Sequence, residues 1–247
     1  DYASLSTIII SAGSTTGTTT FNPTDDSVYE GSETAIIAIT GVSGGDVTES
    51  GTQSKTITIT DNESAPTVTL STSASSVAEN GSDLTLTATL SVATTSDVTV
   101  TLTGSGTSTA GTDYASLSTI TIIAGSTTGT TTFNPTDDSV YEGSETAIIA
   151  ITGVSGGSAT ESGTQSKTIT ITDNESAPTV ALSASSSSVS ESGSNLTLTA
   201  TLSVVANVDV VVTLGASGSA IEGTHYASLS NITISAGTTT GTAVFNP

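Results

Sequence analysis

Cysteine, methionine and tryptophan are absent from this 247-residue chain, and aromatic residues make up only 3% of it. Without cysteine the chain has no disulfide, no thiol nucleophile and no cysteine-bound metal. The absence of the readily oxidised methionine and tryptophan side chains is consistent with long exposure outside a cell. No apolar run approaches the roughly 20 residues that a membrane-spanning helix needs, so the sequence predicts no such helix.

Cationic residues are nearly absent as well. The chain has 23 acidic residues against two basic ones, Lys55 and Lys167, and a single histidine, His225, which gives a net charge of −21. Binding to nucleic acid or to an anionic membrane surface requires lysine and arginine, so both functions are excluded. Two interpretations of the acidic residues remain, a solvated surface and a surface that binds cations.

An internal repeat organises the sequence. Residues 1–7 (DYASLST) return at 113–119, an offset of 112 residues. Residues 1–64 match 113–176 at all but four positions, and a looser match continues to the end of the chain. A period of this length is too long for a solenoid coil and fits one domain per repeat.

The period divides the chain into three parts, which we call the first, middle and third repeats. Residues 65–176 are predicted to be a complete repeat, 1–64 the C-terminal part of a preceding copy, and 177–247 the N-terminal part of a following copy. Because the chain starts within a repeat and shows no signal peptide, we expect it to be a segment of a longer protein. The joints before Pro66 and Pro178 are short, and proline restricts the backbone there, so we expect a rod-like array.

Alternation of apolar residues with threonine predicts β-strands. Apolar side chains occupy every second position from Leu84 to Leu90 and again from Val98 to Leu102. About seven such strands, separated by turn residues, fit into one repeat, and no segment has helical periodicity. The sequence therefore predicts an all-β fold of tandem seven-stranded antiparallel β-sandwiches with immunoglobulin-like architecture.

Acidic residues of the middle repeat are grouped in predicted loops. Glu79 lies in a turn, Asp113 in a long loop and a cluster at 137–145 in another loop, while Asp173 and Glu175 follow the last strand. Alternate loops of a sandwich emerge at the same end. These segments can therefore converge at the C-terminal end of the domain, beside the next copy.

Converging carboxylates would repel one another and raise one another's pKa unless a cation lay among them. Oxygen ligands without histidine or cysteine suit Ca²⁺, which takes about six to eight oxygens, better than Mg²⁺, which tends to keep its waters. Because aspartate and asparagine are also common turn residues, a set of unrelated acidic turns remains the alternative at this point.

Four motifs of the middle repeat resemble the Calx-beta family, which is found in sodium–calcium exchangers and in many bacterial surface adhesins. They are VAENG at 77–81, AGTDY at 110–114, DDSVYEGSE at 137–145 and ITDNE at 171–175, in the order in which the family has them. With the partial copies, the resemblance covers essentially the whole chain. It implies a seven-stranded sandwich whose loops at one end bind a cluster of Ca²⁺ ions.

The resemblance also implies the metal ligands. In the middle repeat these are Glu79, Asp113, Asp137, Asp138, Glu142, Glu145, Asp173 and Glu175. In the first repeat the equivalents are Asp1, Asp25, Asp26, Glu30, Glu33, Asp61 and Glu63. In the third repeat Glu191 matches, whereas His225 replaces the aspartate, and imidazole is a poor ligand for Ca²⁺.

Together these features favour a structural role. We expect an extracellular repeat array, the stalk or filament of a bacterial cell-surface adhesin, made rigid by Ca²⁺ bound between repeats. Its partners would be calcium ions and neighbouring repeats of the same chain, with lateral self-association into fibres left open. The alternatives are a calcium-sensing regulatory module, as in the exchangers, and a module that binds glycans or surfaces.

Catalytic motifs are missing. The sequence contains no G-x-S-x-G, HExxH or phosphate-binding loop, and the single histidine, His225, is not part of any nucleophile signature. We therefore expect that the protein is not an enzyme.

Overall fold

The computed structural model describes residues 1–247, and all of its regular structure is β-strand. The predicted all-β class is therefore confirmed. None of the regular structure is a helix that could cross a membrane. The strands of the first repeat are β1 (Val28–Tyr29), β2 (Glu33–Ala38) and β3 (Ser54–Ile59).

The middle repeat contains the longest strands. They are β4 (Thr67–Thr72), β5 (Ser76–Ala78), β6 (Leu84–Leu90), β7 (Ala93–Thr94), β8 (Val98–Gly106), β9 (Ile120–Ile122), β10 (Thr128–Phe133), β11 (Val140–Tyr141), β12 (Glu145–Ser155), β13 (Thr160–Glu161) and β14 (Ser166–Thr172). The third repeat contains β15 (Val180–Ala184), β16 (Leu196–Leu202), β17 (Val205–Ala206), β18 (Val210–Val212), β19 (Ile232–Ile234) and β20 (Thr240–Phe245).

The middle repeat is a sandwich of two sheets. One has the strand order β10-β6-β4-β13 and the other β5-β14-β12-β8-β9. Neighbouring long strands are antiparallel, whereas the short strands β5 and β13 pair in parallel with β14 and β4. Because β4 and β5 are successive parts of one segment that changes sheet, as are β13 and β14, the nine strands form seven longer segments.

The alternating pattern builds the core between the sheets. Leu86 and Ala88 of β6 are fully buried, as are Ile149 of β12 and Ile169 of β14, and the intervening threonines face outward. In all, 18 buried residues form one apolar cluster in the middle repeat. Each large aliphatic side chain buried in this way contributes about 1.5–3 kcal/mol.

A stacked aromatic pair fixes the loop that carries Asp113. The rings of Tyr114 and Phe133 lie 4.9 Å apart, and both side chains are buried. The same pair recurs in the third repeat between Tyr226 and Phe245, with a separation of 5.1 Å. Since Asp113 is the immediate neighbour of Tyr114, the position of its carboxylate is set by the core.

Strand register places the four acidic segments at one end of the sandwich. Leu84, the first residue of β6, pairs with Phe133, the last of β10, and Glu145 at the start of β12 pairs with Ile171 near the end of β14. Gly106, where β8 ends, pairs with Ala147. The turn before β6, the loop after β8, the loop before β12 and the segment after β14 therefore emerge together, and we call this the acidic end.

Short parallel strands join successive repeats. β1 of the first repeat pairs with β7 of the middle repeat, and β11 of the middle repeat pairs with β17 of the third. Both pairs obey the 112-residue offset, since Val28 pairs with Ala93 and Val140 pairs with Val205. The same contact is thus used at both junctions.

Candidate metal centre at the acidic end

Two groups of three carboxylates lie at the acidic end of the middle repeat. Within each group one oxygen from every member lies within 4.8 Å of the others, and the groups are Glu79 with Asp173 and Glu175, and Asp113 with Glu142 and Glu145. Two oxygens that bind the same Ca²⁺ at its usual distances are at most about 5 Å apart. The spacing in both groups therefore fits that ion.

Glu79 is the most buried member of these groups. It follows β5, its backbone N–H donates to the carbonyl of Thr172, and only 5% of the residue is exposed. Its Oε2 atom is buried without a hydrogen-bond partner, as is Oε2 of Glu175 in the same group. Burying a carboxylate without a partner is costly, and a bound cation would supply the missing interaction for both oxygens.

The second group is built around Asp113, which is 7% exposed. Its Oδ2 accepts a hydrogen bond from the backbone N–H of Thr109 and closes a short turn in the loop after β8. Glu145 is the first residue of β12 and Glu142 directly follows β11. The sequence interpretation placed Glu145 within a loop, whereas the structure places it on a strand, which fixes its backbone position.

Asp173 organises the backbone of the site. Its Oδ2 accepts hydrogen bonds from the N–H groups of Glu142 and Gly143 at 2.7 and 2.6 Å, and its Oδ1 accepts one from the N–H of Glu175 at 2.7 Å. Desolvation raises the pKa of Asp173, but these hydrogen bonds outweigh that effect and lower the pKa overall. Asp173 thereby ties the loop before β12 to the segment that leads into the third repeat.

Asp137 and Asp138 belong to neither group of three. Asp138 Oδ1 accepts a hydrogen bond from the N–H of Val140 at 2.7 Å, and its charge raises the pKa of Glu79 and of Glu142. The charge of Asp137 acts on Glu175. Both residues therefore act on the two groups from outside them. Asp138 closes a turn, and the charge of Asp137 raises the pKa of Glu175.

Burial and mutual repulsion raise the pKa of glutamates at the acidic end. Desolvation raises the pKa of Glu79 to about 7, and the charges of Asp173 and Glu142 add to the effect. Desolvation, followed by the charge of Asp113, likewise raises the pKa of Glu145 to about 7. The only lysine of the middle repeat, Lys167, pairs with Ile149 rather than with Glu145 at the start of β12, so it does not neutralise the carboxylates at the acidic end.

The first repeat reproduces part of this arrangement. All seven of its sequence-predicted residues line one cleft, namely Asp1, Asp25, Asp26, Glu30, Glu33, Asp61 and Glu63. Asp1, Glu30 and Glu33 form a group of three, and Asp61 accepts the N–H groups of Glu30, Gly31 and Glu63 as Asp173 does in the middle repeat. The near-identical sequence thus gives the same local hydrogen bonds.

The third repeat departs from the pattern at His225. Nδ1 of His225 accepts a hydrogen bond from the N–H of Ile221 at 2.8 Å, which is the bond that Asp113 makes with Thr109 in the middle repeat. Histidine therefore preserves the turn but supplies no carboxylate. Glu191 lines the same cleft as His225 but does not belong to a group of three.

Sequence reasoning missed the residues that cross the junctions. β11 lies inside the segment interpreted as a plain loop, between Asp138 and Glu142, and it pairs with β17 of the third repeat. A two-residue strand has no periodicity to detect. The only available signal was that the same valine–tyrosine pair recurs between the same acidic residues one period apart.

Two family models match the chain. The one described as the Calx-beta domain matches residues 1–63 and 173–235, together just over half of the chain. The one described as the LapA domain matches residues 65–175. None of the curated proteins compared with the chain matches it.

Several solved structures are similar to parts of the chain. The apo form of the Calx CBD1 domain is 19% identical, with a TM-score of 0.38, and the match covers 44% of this chain and 99% of that one. CBD12 from CALX1.2 is 18% identical, with a TM-score of 0.37 and coverage of 69% and 72%. A two-domain protein of unknown function from Bacteroides fragilis is 9% identical, with a TM-score of 0.33 and coverage of 74% and 84%.

Proposed function

The chain belongs to the Calx-beta family, and on that premise we propose that it is a structural segment of an extracellular surface protein, made rigid by Ca²⁺ bound at the acidic end of each repeat. Calx-beta domains are calcium-binding, non-catalytic β-sandwich modules. This agrees with the expected absence of enzymatic activity. The finer elements of the proposal are the stalk or filament role, the location at a cell surface and the identity of the ion.

One observation carries the proposal: the segments that hold the carboxylates also connect the repeats. Glu142 directly follows β11, which pairs with the next repeat, and Glu175 lies just before the covalent joint at Pro178. Asp173 hydrogen-bonds to the backbone of both segments. An ion held by these residues would fix both connections between two repeats at once.

The choice of Ca²⁺ follows from the donor set. Both groups offer carboxylate oxygens only, and two of these oxygens are buried without a partner. Calcium accepts many oxygen ligands in flexible geometry, and extracellular modules bind it with dissociation constants of about 10⁻⁴–10⁻³ M. Such sites would be filled in calcium-rich surroundings outside a cell, which supports the proposed location.

Small-angle X-ray scattering of the chain in CaCl₂ and in EDTA tests the stiffening. We expect a larger maximum dimension and a less flexible scattering profile in CaCl₂, with little effect of MgCl₂. The double variant E79Q/E142Q should lose most of the response, because it removes one carboxylate from each group. Identical wild-type curves in CaCl₂ and EDTA would contradict the proposed function.

A further inference from the structure

The third repeat is one half of a sandwich. Its strands β15, β16 and β20 form a sheet that reproduces β4, β6 and β10 of the middle repeat, and β18 pairs with β19 as β8 pairs with β9. No strand of the chain takes the place of β12 and β14 beside them. Strand β18 extends over three residues, whereas β8, which pairs with β12 over most of its length, extends over nine.

The open side of the third repeat is apolar. Val180 and Leu182 of β15 are 46% and 57% exposed. Their counterparts in the middle repeat, Val68 and Leu70, are 0% and 2% exposed, because they belong to the core cluster that also contains side chains of β12 and β14. The exposed side chains of β15 therefore mark the surface that the second sheet covers in a complete repeat.

The first repeat carries the half that the third repeat lacks. Its strands β2 and β3 pair in the same register as β12 and β14. Residues 24–64 match 136–176 at all but two positions, and together with residues 177–247 they make up one complete period. Residues 1–23 correspond to the same part of the period as 225–247, so a sandwich built from the two halves does not need them.

The core-facing side of this half is uncovered as well. Ile39 is 48% exposed, whereas its counterpart Ile151 is 7% exposed. Ile57 and Ile59 of β3 are half-buried, whereas the equivalent residues of β14 are fully buried. Within the chain, β2 and β3 form a two-stranded sheet that includes no strand of the third repeat, so neither half completes the other in one molecule.

We propose that a second copy of this chain completes the third repeat: residues 24–64 of a donor molecule dock on residues 177–247 of an acceptor molecule and close a sandwich like the middle repeat. Strand β2 of the donor then pairs with the open edge of β18 in the register that β12 has with β8, which places Ile39 opposite Leu214. Strand addition supplies backbone hydrogen bonds, and burial of the two apolar faces supplies the main driving force.

The resulting assembly is head to tail. Donor and acceptor surfaces differ, and a contact of this kind builds an open filament unless it closes into a ring. Pairing of β1 with β7 within the donor is compatible with docking, since the equivalent strand β11 pairs with β17 beside the complete middle repeat. The association does not require a bound ion, but a net charge of −21 on each copy opposes it at low ionic strength.

Two substitutions separate the donor surface from the acceptor surface. L182D places a charge on the open face of β15, and I37D places one on β2 at a position that is fully buried in the middle repeat, where the residue is Ile149. The matched controls A181D and I36D alter the neighbouring position on the same strand, which is exposed in the middle repeat. Analytical ultracentrifugation of the full chain over a range of concentrations, at physiological salt with CaCl₂, measures the association.

We expect the average mass of wild type to rise steadily with concentration, and A181D and I36D to behave in the same way. L182D and I37D should each remain monomeric. Their equimolar mixture should form a species of twice the monomer mass and nothing larger, because the intact donor of L182D fits the intact acceptor of I37D. Such a dimer also excludes misfolding as the reason that each variant alone is monomeric.

The milder variants L182A and I37A leave a cavity in place of a buried side chain, so each should weaken the association by at least about tenfold. They provide the test if the charged variants fail to fold. Wild type that stays monomeric at every concentration would overturn the inference. So would association that persists unchanged in L182D, I37D, L182A and I37A, since it would place the contact on another surface.

Discussion

At the scale of single residues, the acidic end is a set of carboxylates that the fold holds close together. Glu79 is buried at 5% exposure with one oxygen unpaired, and its pKa is raised to about 7 by desolvation and by neighbouring charges. Asp173, in contrast, is satisfied by three backbone N–H groups and its pKa is lowered. The carboxylate of Asp173 therefore has its hydrogen-bond partners within the chain, whereas one oxygen of Glu79 has none there.

Replacing Glu79 with glutamine should change two properties in opposite directions. The variant E79Q should bind calcium at least about tenfold more weakly, because it loses a charged ligand. Without calcium it should be more stable by about 1 kcal/mol near pH 8, because a buried, repelled charge is removed. Calorimetry and urea unfolding in EDTA measure the two effects.

The matched control for this variant is D83N, which neutralises an exposed acid in the same turn. It should leave calcium affinity close to the wild-type value. Equal losses of affinity in E79Q and D83N would mean that the overall negative field, rather than the site, attracts the ion.

The raised pKa values predict an unusual pH dependence for the calcium-free protein. Glu79 and Glu145 have a pKa of about 7 in the folded chain against 4.5 when exposed, so the folded state binds more protons between these values. The free energy of unfolding in EDTA should therefore fall as pH rises from about 5 to 8. The lowered pKa of Asp173 acts only below its ordinary value of 3.8, outside this range.

Urea unfolding at pH 5.5 and 8.5, at constant ionic strength, measures this effect. In EDTA the protein should be more stable at pH 5.5, and saturating CaCl₂ should remove or reverse the difference because calcium displaces the protons. Stability that rises with pH in EDTA would show that the two glutamates are not buried together as the structure has them.

The positions of the candidate ligands could be predicted because the four motifs identify the family, whereas residue spacing alone leaves them as acidic turns. Their pairing into two groups could not, because it depends on which loops face each other at the acidic end. The hydrogen bond from the backbone N–H of Asn207 to the carbonyl of Tyr141 was also beyond the sequence, since it joins two repeats that have no shared motif at that point.

At the scale of elements, the alternating runs identified the long strands. Leu84–Leu90 is a strand as predicted, and its leucines face the core. A strand with one buried and one exposed face has alternating apolar and polar residues, so this alternation predicts such strands well. It cannot predict that β4 and β5 belong to different sheets, or that β7 and β11 pair with other repeats, because these depend on tertiary contacts.

One glycine within a strand is required by close packing. A Cβ atom at Gly104 of β8 would lie 2.1 Å from the hydroxyl oxygen of Tyr114, the residue that anchors Asp113. The variant G104A should therefore lower the free energy of unfolding by about 1–3 kcal/mol, the range for overpacking a core. It should also weaken calcium binding by displacing the Asp113 loop.

The control is G153A on the neighbouring strand β12, where the nearest atoms to an added Cβ lie 3.8 Å away in the side chain of Thr101. Chemical denaturation should place G153A within about 0.5 kcal/mol of wild type. Similar losses in both variants would mean that the Tyr114 hydroxyl does not lie over Gly104.

At the scale of the whole molecule, a group of carboxylates lies beside each of the two junctions between repeats. The first junction uses β1 with β7 and the second uses β11 with β17, each beside a group of three carboxylates. The period of 112 residues predicts a chain of like domains. The parallel strand pairs that join them lie within loops and turns, which have no pattern of their own.

Calcium should raise the melting temperature. A site filled at a hundredfold excess over its dissociation constant adds about 2.7 kcal/mol to the folded state. For a domain of this size that corresponds to an increase of roughly 10 °C or more. Differential scanning calorimetry in CaCl₂, MgCl₂ and EDTA checks this, and equal melting temperatures in CaCl₂ and EDTA would exclude binding that is specific to the folded state.

The most direct test is an anomalous difference map from crystals of the chain grown in CaCl₂. The account predicts peaks between the carboxylates of Glu79, Asp173 and Glu175 and between those of Asp113, Glu142 and Glu145, beside the β11–β17 pair. A map in which these side chains are turned apart, with only water between them, would contradict it.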